Sequence, residues 1–155
     1  MTTNAMRVLE QAAIPFGVRH FPVGEQHLSA EQVADAIDMA PETVFKTLIT
    51  GGDQERHLFA VIPANTELDL KALASLSGQK RLRLVPLRDV QKLTGYVRGA
   101  VTVLAARRAF PVFFDETVEL WPRVAVSAGE RGMQLVLAPA DFLRITGGQL
   151  GDIAR

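Results

Sequence analysis

The sequence predicts an α+β fold in which helices cover a mixed, mostly antiparallel sheet. Helix and strand patterns are mixed along the chain and do not follow the regular strand–helix–strand repeat of parallel α/β proteins. Two pairs of strand patterns are separated by short turn segments, which predicts hairpins. The 155 residues, of which 48% are hydrophobic, match the size of one compact domain, so residues 1–155 are expected to form a single domain.

Helices are predicted where apolar residues recur at helical spacing behind a capping residue. Ser29 with Gln32 is the clearest start, because a capping box satisfies two backbone donors reciprocally. Asp69 precedes a third pattern that Gly78 ends, and Pro139 opens the last one. The five predicted helices cover residues 4–13, 30–37, 70–77, 87–93 and 139–146.

Strands are predicted where β-branched and aromatic residues cluster between turn signals. Residues 51–53 and residues 128–132 each separate two such clusters, which predicts the two hairpins. Gly95 and Gly99 bracket a loop that needs unusual dihedral angles or a close backbone approach. Strands are expected at residues 16–21, 44–50, 57–62, 81–85, 101–104, 112–114, 124–127 and 133–137.

The composition excludes several kinds of protein and site. The chain has no cysteine, which rules out disulfides, thiolate zinc sites and a cysteine nucleophile. No apolar run reaches the ~18 residues of a membrane span and the N-terminus does not resemble a secretory signal, so a cytoplasmic protein without a membrane partner is expected. Standard hydrolase and phosphate-loop signatures are absent, and His20, His27 and His57 lack ligand spacing, so no metal and no other cofactor is expected.

Charge is balanced overall but uneven along the chain. The 17 basic and 17 acidic residues give a net charge of zero, whereas a protein that binds nucleic acid through phosphates alone is normally basic. Basic residues nevertheless concentrate in the middle of the chain. This concentration is either a solvated face, which is the commoner case, or a patch for the end of a nucleic acid. The residues concerned are Lys80, Arg81, Arg83, Arg88, Arg98, Arg107 and Arg108.

Lys46 is the position whose pattern points to chemistry. Strand alternation places it on the same face as Val44 and Leu48, where a lysine without a partner is costly to bury. The pattern leaves two interpretations about equally open: a charge that protects a sheet edge, or a cation at a pocket that holds a phosphate or polarises a carbonyl. Residues 94–99 and 127–132 are likewise either tight connections or loops whose N–H groups face an anion or a tetrahedral oxygen.

Five segments in order resemble a known family. They are Phe45-Lys46-Thr47-Leu48, Leu68-Asp69-Leu70-Lys71-Ala72, Thr94-Gly95-Tyr96 with Gly99, Val126-Ser127-Ala128-Gly129-Glu130-Arg131-Gly132, and Asp152-Ile153-Ala154-Arg155. Together they resemble the YbaK-type aminoacyl-tRNA deacylases, and within them the Cys-tRNA(Pro) deacylase subgroup, related to the editing domain inserted in bacterial prolyl-tRNA synthetases. The resemblance implies an α+β domain whose pocket takes the 3′ aminoacyl-adenosine of tRNA and hydrolyses the ester to a wrong amino acid.

The resemblance also implies roles for individual residues. The family's key lysine falls on Lys46, which favours the pocket interpretation, and Lys46 would position the substrate electrostatically rather than act as a nucleophile. Backbone amides near Gly99 to Val101 would face the substrate carbonyl. In cysteine-specific members the substrate's own thiol attacks, and in alanine-specific relatives a tRNA ribose hydroxyl helps with an ordered water. The implied substrate-binding residues are Phe21, Thr47, Gly99, Ala100, Val101, Ser127 and Gln134.

Three positions depart from the family pattern. Val103 replaces the proline of a Gly-x-x-x-Pro loop, Phe21 replaces a tyrosine and Gln134 replaces an acidic residue. The expected function is trans-editing of Cys-tRNA(Pro) by hydrolase or lyase chemistry, with tRNA and prolyl-tRNA synthetase as partners. The alternatives are a deacylase for alanine, serine or another small residue, and a non-catalytic module that binds tRNA or a synthetase.

Overall fold

The computed structural model describes residues 2–155, and of Glu55 it describes the backbone alone. Short 3-10 helices lie at Pro41–Thr43, Asp53–Glu55 and Glu116–Leu120. The α-helices are α1 (Asn4–Gln11), α2 (Ala30–Ala36), α3 (Leu70–Ser77), α4 (Leu87–Thr94) and α5 (Pro139–Thr146). The strands are β1 (Gly17–His20), β2 (Phe45–Gly52), β3 (His57–Pro63), β4 (Leu82–Leu84), β5 (Val112–Asp115), β6 (Val124–Ser127), β7 (Met133–Leu137) and β8 (Gln149–Gly151).

The strands form two sheets rather than one. A five-stranded sheet has the order β4-β2-β3-β5-β8, in which β3, β5 and β8 pair in parallel and the other neighbours are antiparallel. The second sheet, β1-β7-β6, is antiparallel throughout. An isolated bridge between Val44 and Ala125 joins the start of β2 to β6. The predicted α+β class with mixed, mostly antiparallel pairing is confirmed.

Strand β3 forms the centre of the larger sheet. Phe59 and Val61 belong to one hydrophobic cluster, whereas Leu58, Ala60 and Ile62 belong to another. A strand buried on both faces and paired on both sides has a strongly specified register, because a shift by one residue would exchange its two faces. That register pairs Ile62 with Lys46 on β2, so the core itself fixes the position of Lys46.

The predicted helix boundaries rest on caps that the structure confirms. The Ser29 hydroxyl accepts from the Gln32 N–H at 3.2 Å, and the Gln32 side chain accepts from the Ser29 N–H at 2.8 Å. The Asp69 carboxylate accepts from the Ala72 N–H at 3.0 Å, which starts α3. Each such cap is worth ~1 kcal/mol, because it satisfies donors that have no partner within the helix.

Two strand predictions are wrong, and α1 ends at Gln11 rather than at residue 13, because Ala13 adopts a left-handed conformation with φ 56°. Residues 101–104 form no strand, since their backbone is held locally: the Leu104 N–H donates to the Thr102 hydroxyl, and Ala105 adopts a left-handed conformation with φ 55°. Gly51 and Gly52 are part of β2 rather than of the turn, because both pair with β4 as well. The turn lies at Asp53–Glu55 instead, where Gln54 has φ 59°.

Asp115, at the end of β5, connects the sheet to the C-terminal segment. It is 2% exposed, and its Oδ1 accepts from the N–H groups of Ile153 and Ala154, both at 3.1 Å. Its Oδ2 accepts from the N–H and the hydroxyl of Thr117. All four donors are neutral, and they compensate the burial of this carboxylate.

Among residues 2–155, no helix has the length and apolar character to cross a membrane.

Candidate active site

A cavity of about 420 Å³ lies where the two sheets meet. Its walls come from residues 21–33, the first half of β2, the β4–α4 junction, the loop after α4 and the β6–β7 hairpin. Strand β4 pairs with β2 only at residues 50–52, so the first half of β2 has no neighbour on that side. The cavity occupies this gap, and its volume is in the range of small-molecule binding sites.

Lys46 lies on the β2 wall of this cavity. Lys46 lies in the part of β2 that β4 does not cover, and the open side of the strand there borders the cavity, which favours the pocket interpretation over a charge that protects a sheet edge. The half-buried ammonium donates one hydrogen bond, from Nζ to the Ala64 carbonyl at 3.2 Å. An ammonium group has three donors, so two remain for a ligand.

Partial burial lowers the pKa of Lys46 below its ordinary value, and the carboxylates of Glu31 and Glu67 oppose that shift. No salt bridge to Lys46 is formed by the residues that the structure describes. The lysine is therefore a cation held in an apolar wall by one carbonyl and by distant acids. Such a group is available to interact with a carbonyl or phosphate oxygen of a ligand.

Two polar atoms in the cavity wall have no partner. Thr47 Oγ1 and Gln134 Oε1 are both buried and make no hydrogen bond within the described part of the chain. Buried polar groups in proteins almost always have a partner, and those that lack one require an explanation. Both residues line the cavity, but the two oxygens lie beneath its surface, so they meet a ligand or an ordered water only when the side chain turns toward the cavity.

Ser127 lines the cavity, but its hydroxyl is already occupied. It donates to the Ala100 carbonyl at 2.9 Å and accepts from the Gly129 N–H at 3.1 Å. These bonds attach the loop after α4 to the β6–β7 hairpin. Ser127 therefore holds two walls of the cavity together.

The three predicted loop amides do not have the same environment. Gly99, with φ 87°, and Val101 line the cavity, and neither of their N–H groups has an acceptor among residues 2–155. Ala100 is 1% exposed and lies behind the wall, and its N–H donates to the Val97 carbonyl at 3.0 Å. The prediction that Ala100 offers an amide to the substrate is corrected accordingly, because that donor is used inside the loop.

The loop is held in place although Val103 replaces the family's proline. The Tyr96 hydroxyl donates to the Leu104 carbonyl, and Val103 packs against the main hydrophobic cluster. The Tyr96 ring lies on Gly129, where a Cβ would come within 2.9 Å of its Cε1 atom. Side-chain bonds and packing thus restrain the segment in place of the missing proline ring.

Phe21 lines the cavity at the end of β1, and its N–H donates to the Gly132 carbonyl at 3.0 Å. The cavity mouth is partly apolar, with Val23, Leu84 and Leu87 exposed to 47%, 49% and 60%. Exposed apolar groups beside a polar interior suit a ligand that has one flat apolar part and one polar part.

Three residues at the mouth were not identified from the sequence as site residues. His27, Arg98 and Arg131 line the cavity, although Arg98 was noted only as part of the basic cluster. Their common position depends on a tertiary contact between segments that are far apart in sequence. The other members of that cluster are exposed and lie outside the cavity lining: Lys80, Arg81, Arg83, Arg88, Arg107 and Arg108.

Within residues 2–155, no group of three or more histidine and acidic side chains could hold a metal ion. His20, His27 and His57 lie on separate segments, as their spacing predicted.

Residues 25–145 match the family of aminoacyl-tRNA editing domains. The chain belongs to this family. The matched residues include Lys46 and most of the residues that line the cavity. The family predicted from the five sequence segments is thereby confirmed.

Relatives of this chain include proteins named as tRNA deacylases and as a proline–tRNA ligase. EbsC of Enterococcus faecalis, which is named a Cys-tRNA(Pro)/Cys-tRNA(Cys) deacylase, is 42% identical over 97% of this chain and 92% of its own length. The multifunctional Ser/Thr-tRNA deacylase ProXp-y of Escherichia coli is 27% identical over 89% of this chain and 83% of its own. The proline–tRNA ligase of Lactobacillus delbrueckii is 26% identical over 113 residues, which are 73% of this chain and 20% of that enzyme.

Solved structures support the fold. A crystal structure described as a trans-editing enzyme for prolyl-tRNA synthetase superposes with a TM-score of 0.85, at 24% identity and over 100% and 99% of the two chains. The hypothetical protein APE2540 superposes with a TM-score of 0.88 at 19% identity, over 99% of this chain and 100% of its own. The editing-domain fold predicted from the sequence is confirmed.

Proposed function

We propose that this protein is a trans-acting deacylase that hydrolyses the ester of mischarged aminoacyl-tRNA, with Cys-tRNA(Pro) as its first candidate substrate. The observation that carries the proposal is Lys46, a half-buried cation with one protein hydrogen bond, on the cavity wall of an aminoacyl-tRNA editing domain. The name of the 42% identical relative supports the choice of cysteine. Residues 1–155 act in this proposal as one catalytic domain.

The chemistry required of the protein is modest. An aminoacyl ester is already activated, so a site that orients it and stabilises the negative charge developing on its carbonyl oxygen is sufficient. Lys46 positions the substrate electrostatically. The N–H groups of Gly99 and Val101, which have no acceptor in the described chain, are candidates for the developing charge. This group of donors takes the part of an oxyanion hole.

The attacking group comes from outside the protein. The chain has no cysteine, and the Ser127 hydroxyl is held by two hydrogen bonds. With a cysteinyl ester, the substrate's own thiol sulfur bonds to its carbonyl carbon, the bond from that carbon to the ribose oxygen breaks, and the thiol proton passes to the ribose oxygen. Water then opens the resulting β-thiolactone to free cysteine. With a substrate that lacks a thiol, an ordered water has to attack instead, assisted by a ribose hydroxyl.

The deciding experiment compares proline tRNA charged separately with cysteine, alanine and proline. Deacylation is followed for the wild type, for Lys46→Ala and for Lys92→Ala, a matched control that removes an exposed lysine outside the cavity. The expected result is rapid loss of the cysteinyl ester, a spared prolyl ester, and activity that Lys46→Ala removes and Lys92→Ala retains. If no ester is lost faster than in buffer, or if Lys46→Ala retains full activity, the proposed mechanism is wrong.

A second substrate class has its own support. Thr47 and Gln134 line the cavity, and their oxygens Oγ1 and Oε1 are buried without partners, so rotation of either side chain would present an acceptor to a substrate hydroxyl. The 27% identical relative is named a Ser/Thr-tRNA deacylase. Seryl and threonyl esters on their tRNAs are therefore tested beside the cysteinyl ester. Faster loss of either one would assign the enzyme to hydroxyl substrates.

A non-catalytic role makes the opposite prediction. A module that only binds tRNA or a synthetase would bind the charged tRNA while leaving every ester intact. The replacement of a tyrosine by Phe21 and of an acid by Gln134 motivates this alternative. Binding without turnover, measured on the same preparations, would favour it over the deacylase.

A complex with prolyl-tRNA synthetase is part of the proposal, in the cytosol where tRNA is charged. The chain is related to 20% of the length of a proline–tRNA ligase, in which the matching segment is covalently joined to the synthetase. A separate chain needs another way to reach the same tRNA. Co-sedimentation of the two proteins with proline tRNA, compared with each pair alone, tests this association.

A further inference from the structure

Three ionisable side chains from separate segments meet at the cavity mouth. His27 precedes α2, Arg98 follows α4 and Arg131 lies in the β6–β7 turn, and all three line the cavity. The point where a Cβ of residue 99 would lie is 3.5 Å from His27 Cε1 and Nδ1, and 3.7 Å from Arg131 Cγ. Arg98 is the neighbour of Gly99 in the chain. The three groups therefore surround the glycine of the substrate loop.

None of these three side chains forms a salt bridge with an acid within residues 2–155. In the part of the chain that the structure describes, the salt bridge present joins Arg144 to Asp141, on another helix. Arg131 donates from Nη2 to the Gly24 carbonyl at 3.2 Å, which orients its guanidinium without neutralising it. Positive charges held close together repel one another, so the cluster carries a local cost that a bound anion would remove.

The charges of the two arginines also act on His27. Partial burial lowers its pKa, and the positive charges of Arg98 and Arg131 lower it further. At neutral pH the imidazole is therefore held mainly neutral in the free protein. An anion between the three groups would reverse this effect and give His27 a reason to take up a proton.

The chemistry of the cluster favours phosphate. A guanidinium presents N–H donors in a planar fork that matches two phosphate oxygens, and charge-assisted bonds of this kind are the stronger ones. We infer that His27, Arg98 and Arg131 form a phosphate site at the mouth of the cavity, which binds a phosphodiester group beside the terminal nucleoside of the substrate RNA. This inference rests on the proposed function for the identity of the ligand.

Such a site would fix the orientation of the substrate in the cavity. The aminoacyl group enters toward Lys46, and the RNA backbone leaves over the arginines. Because the remaining basic residues lie outside the cavity lining, recognition of the chain end is separated from binding along the rest of the tRNA. The site would act on binding of the substrate more than on the chemical step.

The first test measures kcat/KM on the ester that the wild type hydrolyses, for Arg98→Gln and Arg131→Gln between ~50 and ~200 mM salt. Each substitution is expected to lower kcat/KM about tenfold, mainly through KM, as removal of a charge-assisted hydrogen bond does. The slope of log kcat/KM against log salt should become shallower by about 0.7 for each phosphate that the variant no longer neutralises. Arg7→Gln is the matched control, an exposed arginine outside both the cavity lining and the basic group of residues 80–108, and should change neither quantity. An equal effect of all three substitutions, or no effect of any, would overturn the inference.

The second test does not depend on catalysis, so it separates this inference from the proposed function. The pKa of the His27 imidazole is followed by NMR in the presence of adenosine, adenosine 5′-monophosphate or inorganic phosphate, with His20 and His57 as internal controls. Only the nucleotide is expected to raise the pKa of His27, and the other two histidines should not respond. An unchanged His27, or a shift of equal size with inorganic phosphate, contradicts a site for the phosphate of a nucleotide end.

Discussion

The two main walls of the cavity are built in different ways. The β2 wall, which carries Lys46 and Thr47, is part of a sheet whose central strand is buried on both faces. The wall formed by residues 95–106 has no regular structure and is held by individual hydrogen bonds such as those of Ser127 and Tyr96. A substitution in the first wall is therefore expected to change chemistry on an intact frame. A substitution in the second is expected to change the frame itself.

Lys46→Met tests the sheet wall and should have the largest effect. Removal of one preorganised electrostatic group commonly costs ~10²–10³ in kcat, and a reduction of this size is expected here. The fold should persist, because the register of β2 depends on β3 rather than on the ammonium. Deacylation rates and thermal unfolding are measured on the same protein. A large fall in the unfolding temperature would show that the two walls are not as different as their architecture indicates.

Asp115→Asn disturbs the sheet far from the cavity lining. The amide retains one acceptor oxygen but places N–H donors where the carboxylate now accepts, so a loss of ~1–3 kcal/mol in the free energy of unfolding is expected. Activity per folded molecule should remain that of the wild type. Urea unfolding measures the loss of free energy, and deacylation is measured at urea concentrations well below the unfolding midpoint. Reduced activity in fully folded protein would show that Asp115 also affects the cavity.

Ser127→Ala tests the loop wall. The substitution removes bonds to the Ala100 carbonyl and from the Gly129 N–H, so the unfolding free energy should fall by ~1 kcal/mol. Catalysis should fall about tenfold although the hydroxyl itself is occupied, because misplacement of loop groups by a fraction of an ångström is costly. Ser127→Thr, which keeps a hydroxyl, should recover part of the rate. A lower rate in Ser127→Ala without any change in stability would instead assign the hydroxyl a direct role in binding the substrate.

The smallest of these effects is expected in the pH dependence of stability and of the enzymatic rate. It arises from Lys46. Its pKa is lowered, so the unfolded chain, with an ordinary lysine pKa, binds more protons in the window between the two values. Stability therefore rises with pH across that window, while the charge required for catalysis is lost. After subtraction of spontaneous ester hydrolysis, the enzymatic rate should fall as the pH rises. The fall should begin at a pH lower than the ordinary lysine pKa. Lys46→Arg should move that decline to higher pH, and an identical profile in both proteins would assign it to another group.

The difference between the walls also explains what the sequence could predict. The strand containing Lys46 and the β6–β7 hairpin were predicted correctly, because alternation and turn residues are local signals. The loop after α4 was predicted to contain a strand at residues 101–104, since its β-branched residues resemble one. Its conformation is decided by partners distant in sequence, such as Ser127, and no local pattern encodes them.

The predicted site residues can be compared with the cavity lining in the same way. Six of the seven implied substrate-binding residues, together with Lys46, line the cavity, while Ala100 lies behind it. The convergence of His27, Arg98 and Arg131 could not be predicted, because it depends on three loops meeting around Gly99. Their roles, and that of Lys46, remain predictions until the substitutions are measured.

The position of β3 has a consequence for hydrogen exchange. Amides in a strand that is paired on both sides and buried on both faces exchange only when the whole structure opens, whereas the unbonded N–H groups of Gly99 and Val101 exchange without any opening. Local fluctuations can therefore loosen the mouth of the cavity many times without disturbing the backbone to which Lys46 is attached. The slowest-exchanging amides would then lie in the strand that supports the Lys46 wall, and rapidly exchanging ones in the loop that forms the other wall of the cavity.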